Sequence, residues 1–269
     1  MKKTSFLAAC LLLLSGSAMA QPYADKLYVI ECGQGHAEDQ GRWSPGVNVG
    51  KGFDLADNCY LIRHGADWFL WDTGIPDSIA ALPDGERNSF TGTTWKRSST
   101  LAAQLAALGV APDQLRWIGL SHTHPDHSGN LALFPHTTLL VQAAEYNWKQ
   151  ADGSPRFPPQ QPVKQVSGDY DVFGDGSVTI LSTPGHTPGH QSLLVKLHNT
   201  GAVVLSGDAV HFKDNWDKRR VPALNADAAA SRASLEKIAQ VMETEHAQLW
   251  INHDVPQSKA QKHSPEFYD

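Results

Sequence analysis

His122-Thr123-His124-Pro125-Asp126-His127 puts three imidazoles and a carboxylate within six residues. Imidazole nitrogens and carboxylate oxygens are the donors that borderline divalent cations take, zinc by default. An extended segment cannot turn all four onto one ion, because successive side chains leave it on opposite sides. A turn at Pro125 can send His122 and His124 toward one ion and Asp126 with His127 toward a second. Three more candidates stand downstream: His186, Asp208 and His253. The inventory is then five imidazoles and two carboxylates, which suits two cations with open positions. Asp208, with two oxygens, can bridge both. The competing reading is a histidine-rich surface loop with one adventitious ion, and it does not account for the three later residues.

These donors need elements that deliver them to one place. Four short apolar runs each end in a candidate ligand: Trp117-Ile118-Gly119-Leu120 before His122, Val178–Leu181 before His186, Ala202–Leu205 before Asp208, and Leu249-Trp250-Ile251 before His253. Strands finishing at one edge of a sheet gather their following loops there. Lys26–Cys32, Asn58–His64 and Asp67–Trp71 are further β-rich runs. Between the first two, His36–Phe53 is rich in glycine and polar residues, and a loop of that length is usually functional or mobile. Ser99–Leu108 has helical spacing and stops at Gly109, Gly153–Pro162 is irregular, and Asp227–His246 is the longest helical pattern, with Leu235, Ile238, Ala239 and Met242 on its core side. No repeat, low-complexity tract or linker divides the chain.

Composition narrows the partners. Of 269 residues, 22 are basic and 28 acidic, a formal charge of −6, or −8 without Lys2 and Lys3. No basic run exceeds Lys218-Arg219-Arg220, so nucleic acid is not the expected partner. Residues 1–20 read as a cleavable signal peptide: two lysines, an apolar stretch through Leu11–Leu14, and Ala18-Met19-Ala20 before Gln21. That stretch is too short to span a membrane. Leu7-Ala8-Ala9-Cys10 resembles a lipoprotein box, but the apolar run continues past Cys10. A periplasmic or secreted protein is the expectation. Cys32 and Cys59 remain after processing; an oxidising compartment permits a bridge between them. Two buried thiols on neighbouring strands is the alternative, and it is the reading adopted at this point.

The pattern His122-x-His124-x-Asp126-His127 with His186, Asp208 and His253 resembles the metallo-β-lactamase superfamily. Within it, the chain is most similar to the N-acyl homoserine lactonases, through Asn58–His64, Asp72-Thr73-Gly74, Ser121–Gly129 and Thr183–Ser192. The resemblance covers essentially all of residues 21–269. It implies an α/β fold, a single-domain four-layer αβ/βα sandwich with a dinuclear site at one edge. It also places His122, His124 and His186 on one metal ion and Asp126, His127 and His253 on another, both expected to be Zn2+, with Asp208 bridging. The implied activity is metal-dependent hydrolysis: opening of a homoserine lactone ring by water activated between two cations, which degrades a bacterial signal. Asp126 would carry a proton to the departing alkoxide. A homodimer is also implied, and the substrate is a small molecule.

One departure stands out. His211 occupies the place where the familiar lactonases have a tyrosine, thought to donate to the lactone carbonyl. Imidazole can donate as well and can act as an acid near neutral pH. His211 is therefore a catalytic candidate beside Asp126, against the alternative of a solvated residue with no role. Asp72 is a turn-former, and by resemblance a carboxylate that orients the metal-binding loop; both can hold. His190 is expected to be structural. His36, His64, His136, His198, His246 and His263 show no partner pattern. Trp43, Phe53 and Trp95 fall in segments expected to flank the mouth, where an acyl chain needs apolar walls. The alternative activities on the same fold are hydrolysis of a glyoxalase II-like thioester, a β-lactam or an organophosphate. Asp208 argues against the β-lactam, and His124 against oxygen-reducing diiron relatives. A non-catalytic metal-binding protein would be marked by a missing ligand, and none is missing.

Overall fold

The protein is described by a computed structural model covering residues 22–269. The expected signal peptide lies outside those residues. Alternating side chains build the first sheet. β1 (Lys26–Ala37), β2 (Phe53–His64) and β3 (Asp67–Trp71) run as an antiparallel meander. The hairpin of β4 (Glu86–Asn88) and β5 (Thr93–Lys96) pairs along the far end of β1. β6 (Leu115–Gly119), β7 (Thr138–Gln142) and β8 (Val163–Val166) extend the other edge, each parallel to its neighbour from β3 onward. The second sheet contains β9 (Tyr170–Asp171), β10 (Val178–Ser182), β11 (Gln191–Leu197), β12 (Gly201–Leu205) and β13 (Gln248–Trp250), in the order β13-β12-β11-β10-β9.

Period-two alternation decides which face each residue serves. Leu27, Val29, Tyr60, Ile62, Phe69 and Trp71 point between the sheets, where they meet Ile180, Leu193, Val195, Val203 and Leu205. Tyr28, Ile30, Leu61 and Leu70 point the other way, onto Leu101 and Leu105 of α1 (Leu101–Ala107). The outer face of the second sheet offers Leu194, Val204 and Leu249 to Leu235 and Ile238 of α5 (Ala228–Glu245). The result is helix, sheet, sheet, helix: the four layers that the resemblance implies. Four shorter helices, α2 (Pro125–Ser128), α3 (Ala143–Tyr146), α4 (Lys213–Asp217) and α6 (Val255–Ala260), sit in connections, while α5 spans Ala228–Glu245. No helix among the described residues is long and apolar enough to cross a membrane.

The two expected helices form close to their expected limits because their ends are capped. Thr100 Oγ1 accepts from the Ala103 amide to start α1, which stops before Gly109 at φ +72°. Asp227 accepts from the Ala229 and Ala230 amides to start α5, and His246, left-handed at φ +51°, ends it. The expected loop His36–Phe53 is shorter, since β1 runs on to Ala37 and β2 begins at Phe53. Trp95 lies in β5 rather than in an irregular segment.

The two-thiol reading of the cysteines is corrected. Cys32 and Cys59 form a disulfide, with Cα atoms 5.8 Å apart, inside the range that such a bond spans. A register shift between Glu31 and Gly33 makes Cys32 the extra residue of β1, next after the Glu31–Asn58 pair and diagonal to Cys59, whose register partner is Ile30. A bridge closing a loop of this length should contribute about 3–4 kcal/mol through the unfolded chain. Denaturant unfolding with and without reductant checks this; a loss below about 1 kcal/mol would mean that the bridge is idle.

Candidate metal centre

β10, β12 and β13 run in one direction, since β10 and β12 both flank β11 antiparallel and β13 is parallel to β12. β3 and β6 are parallel in the facing sheet. The loops at the C-terminal ends of these five strands carry Asp72, His122 to His127, His186, Asp208 and His253. The turn expected at Pro125 is real: His124 is extended at φ −68°, ψ +151°, and α2 starts at the proline, rotating Asp126 and His127 to another side. Asp208 sits in the 3-10 turn Gly207–Ala209. Gly207, at φ +52°, cannot be larger there, because a Cβ would come within 2.7 Å of His190 and Ser121.

Two donor sets result. His122, His124, His186 and Asp208 form one, Asp126, His127 and His253 the other. His122 Nε2 and His186 Nε2 lie 2.9 and 3.0 Å from His124 Nδ1. Asp208 stands between the sets. Its Oδ2 is 3.6 Å from His122 Nε2 and 3.3 Å from His186 Nε2, while its Oδ1 is 3.3 Å from His127 Nε2 and 3.0 Å from His253 Nε2. Asp126 Oδ2 lies 3.9 and 3.8 Å from the same two nitrogens of His127 and His253. Donors sharing an ion with bonds of about 2.0–2.2 Å stand about this far apart.

The tautomers agree with ligation. His127 Nδ1 donates to Asp72 Oδ2 at 2.8 Å and His253 Nδ1 to the Ala56 carbonyl at 2.6 Å, which leaves each Nε2 a lone pair aimed inward. His127 Nε2 and Asp208 Oδ1 are both buried without a hydrogen-bond partner, and such groups are rarely left so unless an ion uses them. Without an ion, the second set instead holds protons on the nitrogens where the ion would sit. Burial holds His122 and His186 well below the ordinary imidazole range. Burial also pulls on His127 and His253, but Asp208 above all outweighs it, lifting His127 well above that range and His253 to about 9. Burial would raise Asp208; His253, His211 and His127 instead hold it well below the carboxylate range. The surroundings of Asp208 call for positive charge. The chain fits two divalent cations.

Behind the donors lies a second set of contacts. Asp72, left-handed at φ +58°, accepts from the Ser121 amide at 2.6 Å, from Ser121 Oγ at 2.8 Å and from His127. It is both a turn residue and the brace of the ligand loop. His190 Nε2 accepts from the Asp208 amide at 2.9 Å and its Nδ1 donates to the Thr183 carbonyl at 2.9 Å, so it holds the bridging residue's backbone as a neutral ring. Burial takes its pKa down to about 4. Of the histidines without an expected partner, His64 pairs with Asp175 and His36 with Asp54.

Two buried carboxylates have no counterpart in the sequence reading. Glu145 is treated below. Asp57 accepts from the Ile75 amide at 3.1 Å, and burial pushes its pKa up to about 7. In the metal-free fold it therefore keeps a proton that the unfolded chain releases above about 3.8. Its contribution to stability is present at low pH and fades as pH rises from about 4 to 7. Asp57→Asn removes that penalty. Denaturant unfolding of chelated protein should show the variant gaining on wild type by a few kcal/mol between pH 5 and pH 8, on the order of the shift's free-energy equivalent. A pH-independent difference would contradict the assignment.

The donors open into a cavity of about 110 Å³ walled by Trp43, Leu55, Phe90, Trp95 and Leu224. Phe53 is one layer back, packed edge-on to Trp43 and Phe212. His211 is buried on the cavity wall, its ring stacked on His253, with Nε2 3.1 Å from Asp208 Oδ2 and Nδ1 unpartnered. A solvated histidine is thereby excluded. A larger hollow of about 500 Å³, between β1, β2, β5 and α6, contains none of the seven donors.

The model of the metallo-beta-lactamase superfamily matches residues 52–241. An N-acyl homoserine lactonase from a Bacillus species is 31% identical over 258 residues, 90% of this chain and 98% of that protein. The N-acyl homoserine lactonase AttM of Agrobacterium fabrum is 31% identical over 240 residues, 82% of this chain and 91% of its own. Among solved structures, an N-acyl homoserine lactone hydrolase with the product N-hexanoyl-L-homoserine bound at its catalytic metal centre superimposes with a TM-score of 0.82 at 30% identity, covering 91% of this chain and 99% of that one.

Proposed function

Since the chain belongs to the metallo-beta-lactamase superfamily, and relatives matching nearly its whole length are N-acyl homoserine lactonases, we propose that it opens the lactone ring of N-acyl homoserine lactones at a two-ion centre. The observation that carries the reading is Asp208, with one oxygen facing each donor set. His122, His124, His186, Asp126, His127, His253 and Asp208 would hold two divalent cations, zinc by the chemistry of five imidazoles and two carboxylates, which would supply an acidified water and positive charge for a carbonyl oxygen.

The chain's own residues do the rest. Asp208 and the braces Asp72 and His190 fix the separation of the donor sets. Asp126, 19% exposed at the cavity wall, takes the proton that the attacking water gives up and passes it to the ring oxygen as it leaves. His211, on the same cavity wall, donates to the carbonyl oxygen. Trp43, Leu55, Phe90, Trp95 and Leu224 take the acyl chain and exclude water. Export to the periplasm or beyond belongs to the same reading, supported by the composition of residues 1–20 and by the Cys32–Cys59 bridge. So does a homodimer, supported by the exposed apolar loop residues Val49 and Phe90.

A pH-stat assay of zinc-loaded protein tests the activity, comparing short- and long-chain N-acyl homoserine lactones with a β-lactam and a glutathione thioester. Acid release from the lactones far above the others is expected. Inert lactones with thioester turnover would keep the metal centre and discard the lactonase.

A further inference from the structure

Glu145 is wholly buried at the end of α3, just past β7. Its carboxylate accepts four hydrogen bonds. Oε1 takes the Thr123 amide at 2.9 Å and Thr123 Oγ1 at 2.8 Å; Oε2 takes Thr187 Oγ1 at 2.7 Å and the Gly189 amide at 3.0 Å. Thr123 lies between His122 and His124, and Thr187 follows His186. One carboxylate thus ties together the two loops that carry all three imidazoles of the first donor set. The fit leaves no slack, since a Cβ on Gly189 would come within 2.1 Å of the Glu145 backbone nitrogen.

The second set is held differently, His127 by Asp72 and His253 by the Ala56 carbonyl. The four partners of Glu145 are neutral donors. A buried carboxylate is costly without nearby positive charge. An ion on the first donor set would supply the missing positive charge.

We propose that Glu145 is a positioning residue for the first cation: it sets the spacing of His122, His124 and His186 and its charge favours an ion there over the second site. The proposal rests on the two-ion reading above. Glu145→Gln keeps the shape but turns one acceptor into a donor that faces existing donors. Losing such an outer partner weakens metal binding by about 10–100-fold.

The test is a cobalt(II) titration of the metal-free full chain, followed by the paramagnetically shifted imidazole resonances, three for the first set and two for the second. In Glu145→Gln, the three should need about 10–100-fold more cobalt than in wild type, while the two fill as before. Thr187→Val, which removes a single donor, should shift the same three by less and leave the two of the second set unmoved. It decides the question if Glu145→Gln does not fold. A wild type that takes up one ion refutes the two-ion reading, and the proposal with it. A wild type with two ions refutes the clamp alone if the variants fill both sets as wild type does, or if both sets weaken together.

Discussion

Asp208→Asn should lose turnover and metal together. The substitution preserves volume, but replaces one oxygen by an amide nitrogen that has no lone pair for an ion. One donor set then keeps its bridge and the other does not. His127 and His253, which owe their raised basicity chiefly to Asp208, face a neutral neighbour instead. Metal content should fall from two ions toward one after dialysis, and kcat/KM should fall on the order of 10³-fold. Metal analysis beside lactone hydrolysis measures both. Two ions retained with full activity would remove Asp208 from the bridging position.

His211→Phe should act on turnover and spare the metal. Phenylalanine fills the imidazole's space beside His253 and Phe212 but cannot donate. A lost proton donor costs about 10²-fold in kcat, with two ions still bound and KM little changed. The geometry leaves room for a sharp contradiction, because His211 Nε2 also lies 3.1 Å from Asp208 Oδ2. If the variant loses an ion, His211 serves Asp208 rather than the substrate. If neither metal nor rate changes, it serves neither.

The site was legible where its chemistry is local. His122 to His127 are contiguous, and Pro125 announces the turn that divides them. His186, Asp208 and His253 each follow an apolar run, so their strand-end placement could be read from hydrophobicity alone. Four layers were legible only through the resemblance; periodicity supplied individual strands but not their pairing. Short polar strands escaped notice. β4 and β5, three and four residues long, carry no run of alternating apolar residues, so Trp95 reads as loop. Glu145 was invisible because its four donors come from segments more than twenty residues away, and an acid after Ala143-Ala144 looks like a helix surface. Asp57 was hidden for a related reason: β2 is buried on both faces around it, where alternation alone would turn one face to water. The disulfide lies at a one-residue register shift that no spacing rule reveals.

The central claim is ring opening at a two-ion centre. Its most direct test is to titrate chelated, metal-free protein with Zn2+ while a pH-stat follows acid release from an N-acyl homoserine lactone. Release should be absent without metal, rise with added zinc and level off at two ions per chain. Ring opening by the metal-free protein, or a plateau at one ion, would contradict the account.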